Sequence, residues 1–76
     1  MDVLANITEQ EFTEAGEIPI GFLYASIKNV GTVSAAVNGV ALAAGEAKSY
    51  PFVGKPYGAA IPYDPKDATL RILYIL

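Results

Sequence analysis

The sequence predicts an all-β fold, a small antiparallel sandwich or partly open barrel of about six strands. Three observations predict it. Asn38-Gly39 stands between two apolar, alternating runs, Thr32 to Val37 and Val40 to Ala43, and can take the two positive-φ positions of a type I′ turn whose twist matches the flanking strands. Further short alternating runs are punctuated at Val30-Gly31 and Ala44-Gly45-Glu46. No segment of useful length carries apolar residues at helical spacing.

The elements follow in chain order. Val3 to Thr8 is apolar and β-compatible, with Val3, Ala5 and Ile7 on one side. Glu9 to Glu17 is acidic, and its periodicity fits either an extended arm or one helical turn. Ile18-Pro19-Ile20-Gly21 is a connector, because proline lacks a ladder donor and biases its predecessor away from helix. Residues 1–21 are therefore expected to form an acidic N-terminal arm and connector ahead of a β domain at 22–76, one domain overall. Phe22 to Asn29 reads as a strand, with Phe22, Tyr24, Ser26 and Lys28 facing one way and Leu23, Ala25 and Ile27 the other. Val33, Ala35 and Val37 form the apolar face of the next. Ala47 to Val53 follows, and Pro51 within it suggests an edge position or a bulge. Gly54 to Pro65 is a glycine- and proline-rich loop or broken strand in which Ala59 to Tyr63 pairs best. Asp64-Pro-Lys-Asp67 has the pattern of a type I turn. Thr69 to Leu76 is a strand with apolar residues on both faces: Leu70, Ile72, Tyr74 and Leu76 on one, Leu73 and Ile75 beside Arg71 on the other.

That last strand raises a physical question. An exposed strand with two apolar faces templates aggregation, so it must lie centrally in a sandwich or pack its second face on another subunit. Arg71 would then sit near a rim or pair with Glu9 or Glu11. Composition points toward company as well. The chain has 76 residues, no cysteine and no histidine, so the disulfides and thiolate or imidazole metal sites that brace small domains are excluded. Hydrophobic residues make up 53% and charged residues 17%, the latter below the roughly 25% of an ordinary domain. Either some apolar surface is covered by another chain, or the many small alanines inflate the count.

Charge is uneven. Residues 1–27 hold five carboxylates and no basic side chain, whereas 28–76 hold five basic and three acidic ones. An acidic arm on a mildly basic body suits head-to-tail docking, or is a solvated segment that only aids solubility. No basic cluster marks a nucleic-acid partner, and no apolar run is long enough to span a membrane as a helix. The start, Met-Asp-Val-Leu-Ala-Asn, lacks the basic residues and apolar run of a signal peptide, so synthesis in a cytoplasm without export by that route is expected.

Chemistry is narrowed by elimination. Without His or Cys there is no Ser-His or Cys-His pair. Ser26, Ser34 and Ser49 lie in no glycine-framed nucleophile turn, and the carboxylates cluster in the arm or a turn rather than as a glycosidase pair. No enzyme is expected. Asp64 and Asp67 fall far short of a calcium loop, and the glycines are isolated rather than phosphate-binding, so no metal and no cofactor is expected. The aromatic pattern is richer. Tyr50-Pro51, Pro56-Tyr57 and Pro62-Tyr63 give stiff platforms able to fill an interface or stack on a sugar, or else proline stiffens the loop while tyrosine packs its ring on the sheet and keeps its hydroxyl in water.

Lys28-Asn-Val-Gly-Thr-Val-Ser-Ala-Ala-Val-Asn-Gly-Val-Ala-Leu-Ala-Ala-Gly-Glu46 resembles the turn-rich pattern of small β-sandwich modules of two groups. One is the immunoglobulin-like, adhesion-like repeats of bacterial surface proteins, and the other is the short β proteins that serve as accessory components of phage particles. A start at Met1 without a leader favours the second. The resemblance implies a structural virion component, made in the host cytoplasm, that decorates or cements a capsid or tail through contacts with itself or larger virion proteins. The contact residues expected are Glu9, Glu11 and Glu14 in the arm, Tyr57 and Tyr63 in the loop, and Arg71 beside the last strand. The alternatives are a module that holds a glycan or host surface through its tyrosines, and an independent cytoplasmic β domain with no partner.

Overall fold

The structure, a computed structural model, describes residues 4–76. Val3, expected to begin the first β-compatible run, lies outside them. Eight strands form: β1 Ile7–Phe12, β2 Gly16–Ile18, β3 Tyr24–Asn29, β4 Ala35–Val37, β5 Val40–Leu42, β6 Ala47–Tyr50, β7 Ile61–Asp64 and β8 Leu70–Ile75. They make two antiparallel four-stranded sheets, ordered β1-β8-β3-β6 and β2-β7-β4-β5. The fold is all-β, as a small sandwich.

There are more strands than expected because the acidic segment is folded rather than a free arm. It supplies β1 to one sheet and β2 to the other. β1 pairs with β8 over its full length, from Ile7↔Ile75 to Phe12↔Leu70, so its backbone polar groups on that side are satisfied by a ladder. Its pleat sends Phe12 inward, against the Tyr63 ring at a centroid distance of 5.2 Å, and leaves Glu9 and Glu11 outside.

β8 lies between β1 and β3, six residues in register with each. Leu70 and Ile72 on its inner face are fully buried. The two-faced terminal strand is thus central in its sheet, with its inner face buried and Leu73 and Ile75 on its outer face half-buried. Ala25 and Ile27 of β3 and Val37, Ile61 and Ile18 from the facing sheet complete the buried layer. Phe22, expected on one face with Tyr24, Ser26 and Lys28, is fully buried, whereas Lys28 on that face is exposed. Gly21, at φ 94°, turns the chain immediately before it, so the alternation starts only at Tyr24.

The turns behave as their residues dictate, with two changes of detail. Asn38 (φ 52°) and Gly39 (φ 76°) take the paired positive φ of a type I′ turn between β4 and β5. By contrast, Val30-Gly31 and Gly45 serve connections that cross from one sheet to the other. At the proline turn, Asp64 Oδ1 accepts the Lys66 N–H at 2.9 Å, but the closing bond runs from Ala68 N to Pro65 O at 2.8 Å. Lys66 has φ 57°, a sign foreign to type I. The turn is shifted one residue along because Pro65 is buried and so cannot stand at its apex. β6 is an edge strand, as Pro51 suggested, and ends just before that proline.

Candidate functional site

The six residues expected to make contacts fall in four places. Glu9, Glu11 and Arg71 share the outer face of the β1-β8-β3-β6 sheet. Register sets Glu11, Arg71 and Lys28 in one row across β1, β8 and β3, with Glu9, Leu73 and Ser26 in the next. Arg71 Nη2 donates to Glu11 Oε2 at 2.9 Å, the pairing anticipated from charge. A shallow depression of about 240 Å³ is lined here by Glu9, Tyr24, Ser26, Lys28, Arg71 and Leu73. With Glu11 at its rim, two cations face two carboxylates, so the depression has no net charge with which to select an ion.

Glu14 is exposed in the turn between β1 and β2, at the opposite end of the molecule from Tyr57. Tyr63 is not in a loop. It sits on β7 with its ring in the core, packed over Gly16, where a Cβ would lie 2.8 Å from the Tyr63 hydroxyl oxygen. Burial, with the nearby Tyr74 adding to it, pushes the Tyr63 phenol above its ordinary value of 10.0.

Tyr57 is half-buried and braces its loop. Its ring stacks on Phe22 at 4.5 Å with the planes 6° apart, and meets Tyr50 edge-on at 6.0 Å. Its N–H donates to Phe22 O at 2.8 Å, its carbonyl accepts Gly21 N–H at 2.9 Å, and its hydroxyl donates to Pro51 O at 2.7 Å. Loops 19–23 and 51–60 are thereby fixed to each other.

What this bracing presents is a feature that sequence reasoning missed. Successive strands run up and down, so loops gather at two ends. One end holds residues 4–6, 19–23, 38–39, 51–60 and Leu76; the other holds 13–15, 30–34, 43–46 and 65–69. At the first, Leu4, Ile20, Phe52, Val53 and Leu76 are exposed, and Ile7 and Val40 stand exposed on the adjoining strand ends. Together these are seven of the nine exposed large hydrophobics among the described residues. Lys55 is the one charged side chain in those loops. The other end carries Glu14, Glu46, Lys66 and Asp67, and the remaining two, Val30 and Val33. The available signal was Pro51-Phe52-Val53-Gly54: two large apolar residues framed by turn formers, where loop chemistry favours polar ones.

No protein-family model, curated protein or solved structure matches this chain.

Proposed function

We propose that the chain is a structural protein that acts by protein–protein contact, as a small component decorating or cementing a virion capsid or tail. The observation that carries the contact role is the apolar end. Ile20, Phe52 and Val53 are 64%, 62% and 60% exposed on loops that Tyr57 holds in place. A rigid apolar projection loses little entropy on docking, and contiguous apolar patches of several hundred Å² mark interaction sites. The virion setting rests on the resemblance of residues 28–46 to phage accessory proteins. The glycan alternative has less support, because the rings of Tyr57 and Tyr63 are packed against Phe22 and Phe12.

The test is particle association. Purified particles from the organism that encodes the chain should contain it in a fixed ratio to the shell or tail protein. Added back to stripped particles, the natural chain should cosediment, and Phe52→Asp with Val53→Asp should abolish this. A chain missing from particles, or one that cosediments regardless of that pair, refutes the reading.

A further inference from the structure

We propose that Asn38 is a self-modification site: its side-chain amide and the Gly39 backbone nitrogen close to a cyclic imide, which water opens to aspartate or isoaspartate without an enzyme. This goes beyond the contact role and does not depend on it.

The reaction needs a side-chain amide within reach of water, followed by a residue with no side chain to obstruct attack. The chain has asparagines at 6, 29 and 38. Ile7 follows Asn6 and Val30 follows Asn29, both branched at Cβ. Asn29 is also fully buried, with its amide donating to Val33 O and Leu42 O. Asn38 alone is followed by glycine. Asn38 and Gly39 are both exposed, and a Cβ placed on Gly39 would meet nothing within 4 Å, so water and a base reach the Gly39 N–H. The turn is tied to β7 by the Asn38 N–H, which donates to Pro62 O at 2.7 Å. Among the described residues, neither the Asn38 amide nor the Gly39 N–H has a hydrogen-bond partner.

The atoms balance with water as the co-reactant. A base takes the Gly39 N–H proton, and the nitrogen attacks Asn38 Cγ. The N–Cγ bond forms as the Cγ–Nδ2 bond breaks, and ammonia leaves with a proton from water. Water then adds to one of the two imide carbonyls. Opening at Cγ gives aspartate. Opening at the backbone carbonyl carbon gives isoaspartate, in which the chain runs through the former side chain.

The fold sets the rate. Type I′ geometry gives Asn38 its positive φ of 52° and a small positive ψ, which directs Gly39 N away from Cγ. Attack therefore follows opening of the hairpin. That opening is easy, because β4 and β5 share three register pairs, and β5 is an edge strand with Val40 and Ala41 exposed; local opening follows ladder length and burial. The two products then differ. Aspartate tolerates the left-handed region and keeps the turn. Isoaspartate adds a methylene to the backbone, so the two-residue loop no longer fits and the β4–β5 register is lost. Each adds a negative charge to a chain of net −3.

Mass spectrometry of the full chain held in neutral and mildly alkaline buffer tests this, with peptide mapping and labelling of isoaspartate by a protein isoaspartate methyltransferase. The expected result is a progressive mass gain confined to residue 38, faster as pH rises, with isoaspartate among the products and Asn6 and Asn29 intact. In urea, where the hairpin is open, conversion should be on the order of tenfold faster. Leu42→Ala, which loosens β5, should speed conversion in buffer; if that variant does not fold, the natural chain in urea below its unfolding transition takes its place. A folded chain still unconverted after about a hundred half-lives of the unfolded one has a hairpin that opens only globally, which overturns the proposal. Conversion at Asn6 or Asn29 at a comparable rate overturns it too, as does aspartate without isoaspartate, the mark of direct hydrolysis. Equal rates in the folded and unfolded chains overturn the opening step.

Discussion

Asn29 is the polar residue that the core cannot spare. Alternation along β3 puts it on the inner face after Ala25 and Ile27, and it is fully buried. Its amide donates to Val33 O at 2.8 Å and Leu42 O at 2.9 Å, and its Oδ1 accepts the Gly31 N–H at 2.9 Å. One side chain thus ties the end of β3 to the 30–34 corner and to β5 in the other sheet. Gly31 beside it must lack a side chain, since a Cβ would lie 2.8 Å from Thr69 N and 3.0 Å from Ala68 Cα, both backbone atoms. Asn29→Ala leaves two carbonyls and an N–H without partners, so it should cost about 2–4 kcal/mol in urea unfolding; a loss under about 1 kcal/mol would mean that water replaces the amide freely. Tyr63 gives a second residue-level expectation. Its phenol is raised above 10.0 in the folded chain by burial and Tyr74. Below that pH both states keep the proton and nothing is lost. As pH rises through the ordinary tyrosine range, the unfolded chain releases this proton while the folded chain holds it, so stability falls. Tyrosinate absorbance of the natural chain minus that of Tyr63→Phe should titrate with a midpoint above 10, and the natural chain should lose more stability there than the variant.

At the scale of elements, legibility in the sequence tracked local chemistry. The Asn38-Gly39 turn, the alternation of β3 from Tyr24 and the two-faced β8 were readable because turn geometry and the two-residue period are fixed within a few neighbours. β1 and β2 were not. β1 pairs with β8 at the far end of the chain, and Thr8-Glu9-Gln10-Glu11 has little apolar content to announce a strand. It is stabilised by a ladder whose partner strand lies about sixty residues away, as Glu11 and Arg71, 60 apart, show. The same distance hid the site: loops 19–23 and 51–60 are joined only through the Tyr57 bonds to Phe22 and Gly21. The Arg71–Glu11 pair was foreseen from charge, yet its energetic role is small. Both side chains are about half exposed, so solvent and salt screen the pair, and such bridges contribute about 0–1 kcal/mol. Arg71→Ala should therefore shift the urea midpoint little, and less still at high salt. A large loss would show that the arginine stem, in the depression that Leu73 and Tyr24 also line, matters through packing.

For the whole molecule, the two sheets are unequal. β1-β8-β3 is built from six-residue strands with Leu70, Ile72 and Ile27 fully buried, whereas β2, β4 and β5 have three residues each. The second sheet is tied to the first by side-chain packing, the Asn29 bonds and turns, and β4 meets β7 over only two register pairs. Free energy of local opening follows buried apolar contact and ladder length. Amide exchange should therefore be slowest along the Ile27↔Ile72 rungs, opening only with global unfolding, and should be far faster in β5 and β2. The loops of the apolar end divide in the same way. The Tyr57 and Gly21 amides, both hydrogen-bonded to backbone carbonyls, should be protected, while those of Phe52 and Val53 exchange freely in dilute solution. Equal protection of β5 and β8 would mean that the sandwich opens only as one unit, with the second sheet drawing its stability from contacts other than its short ladders.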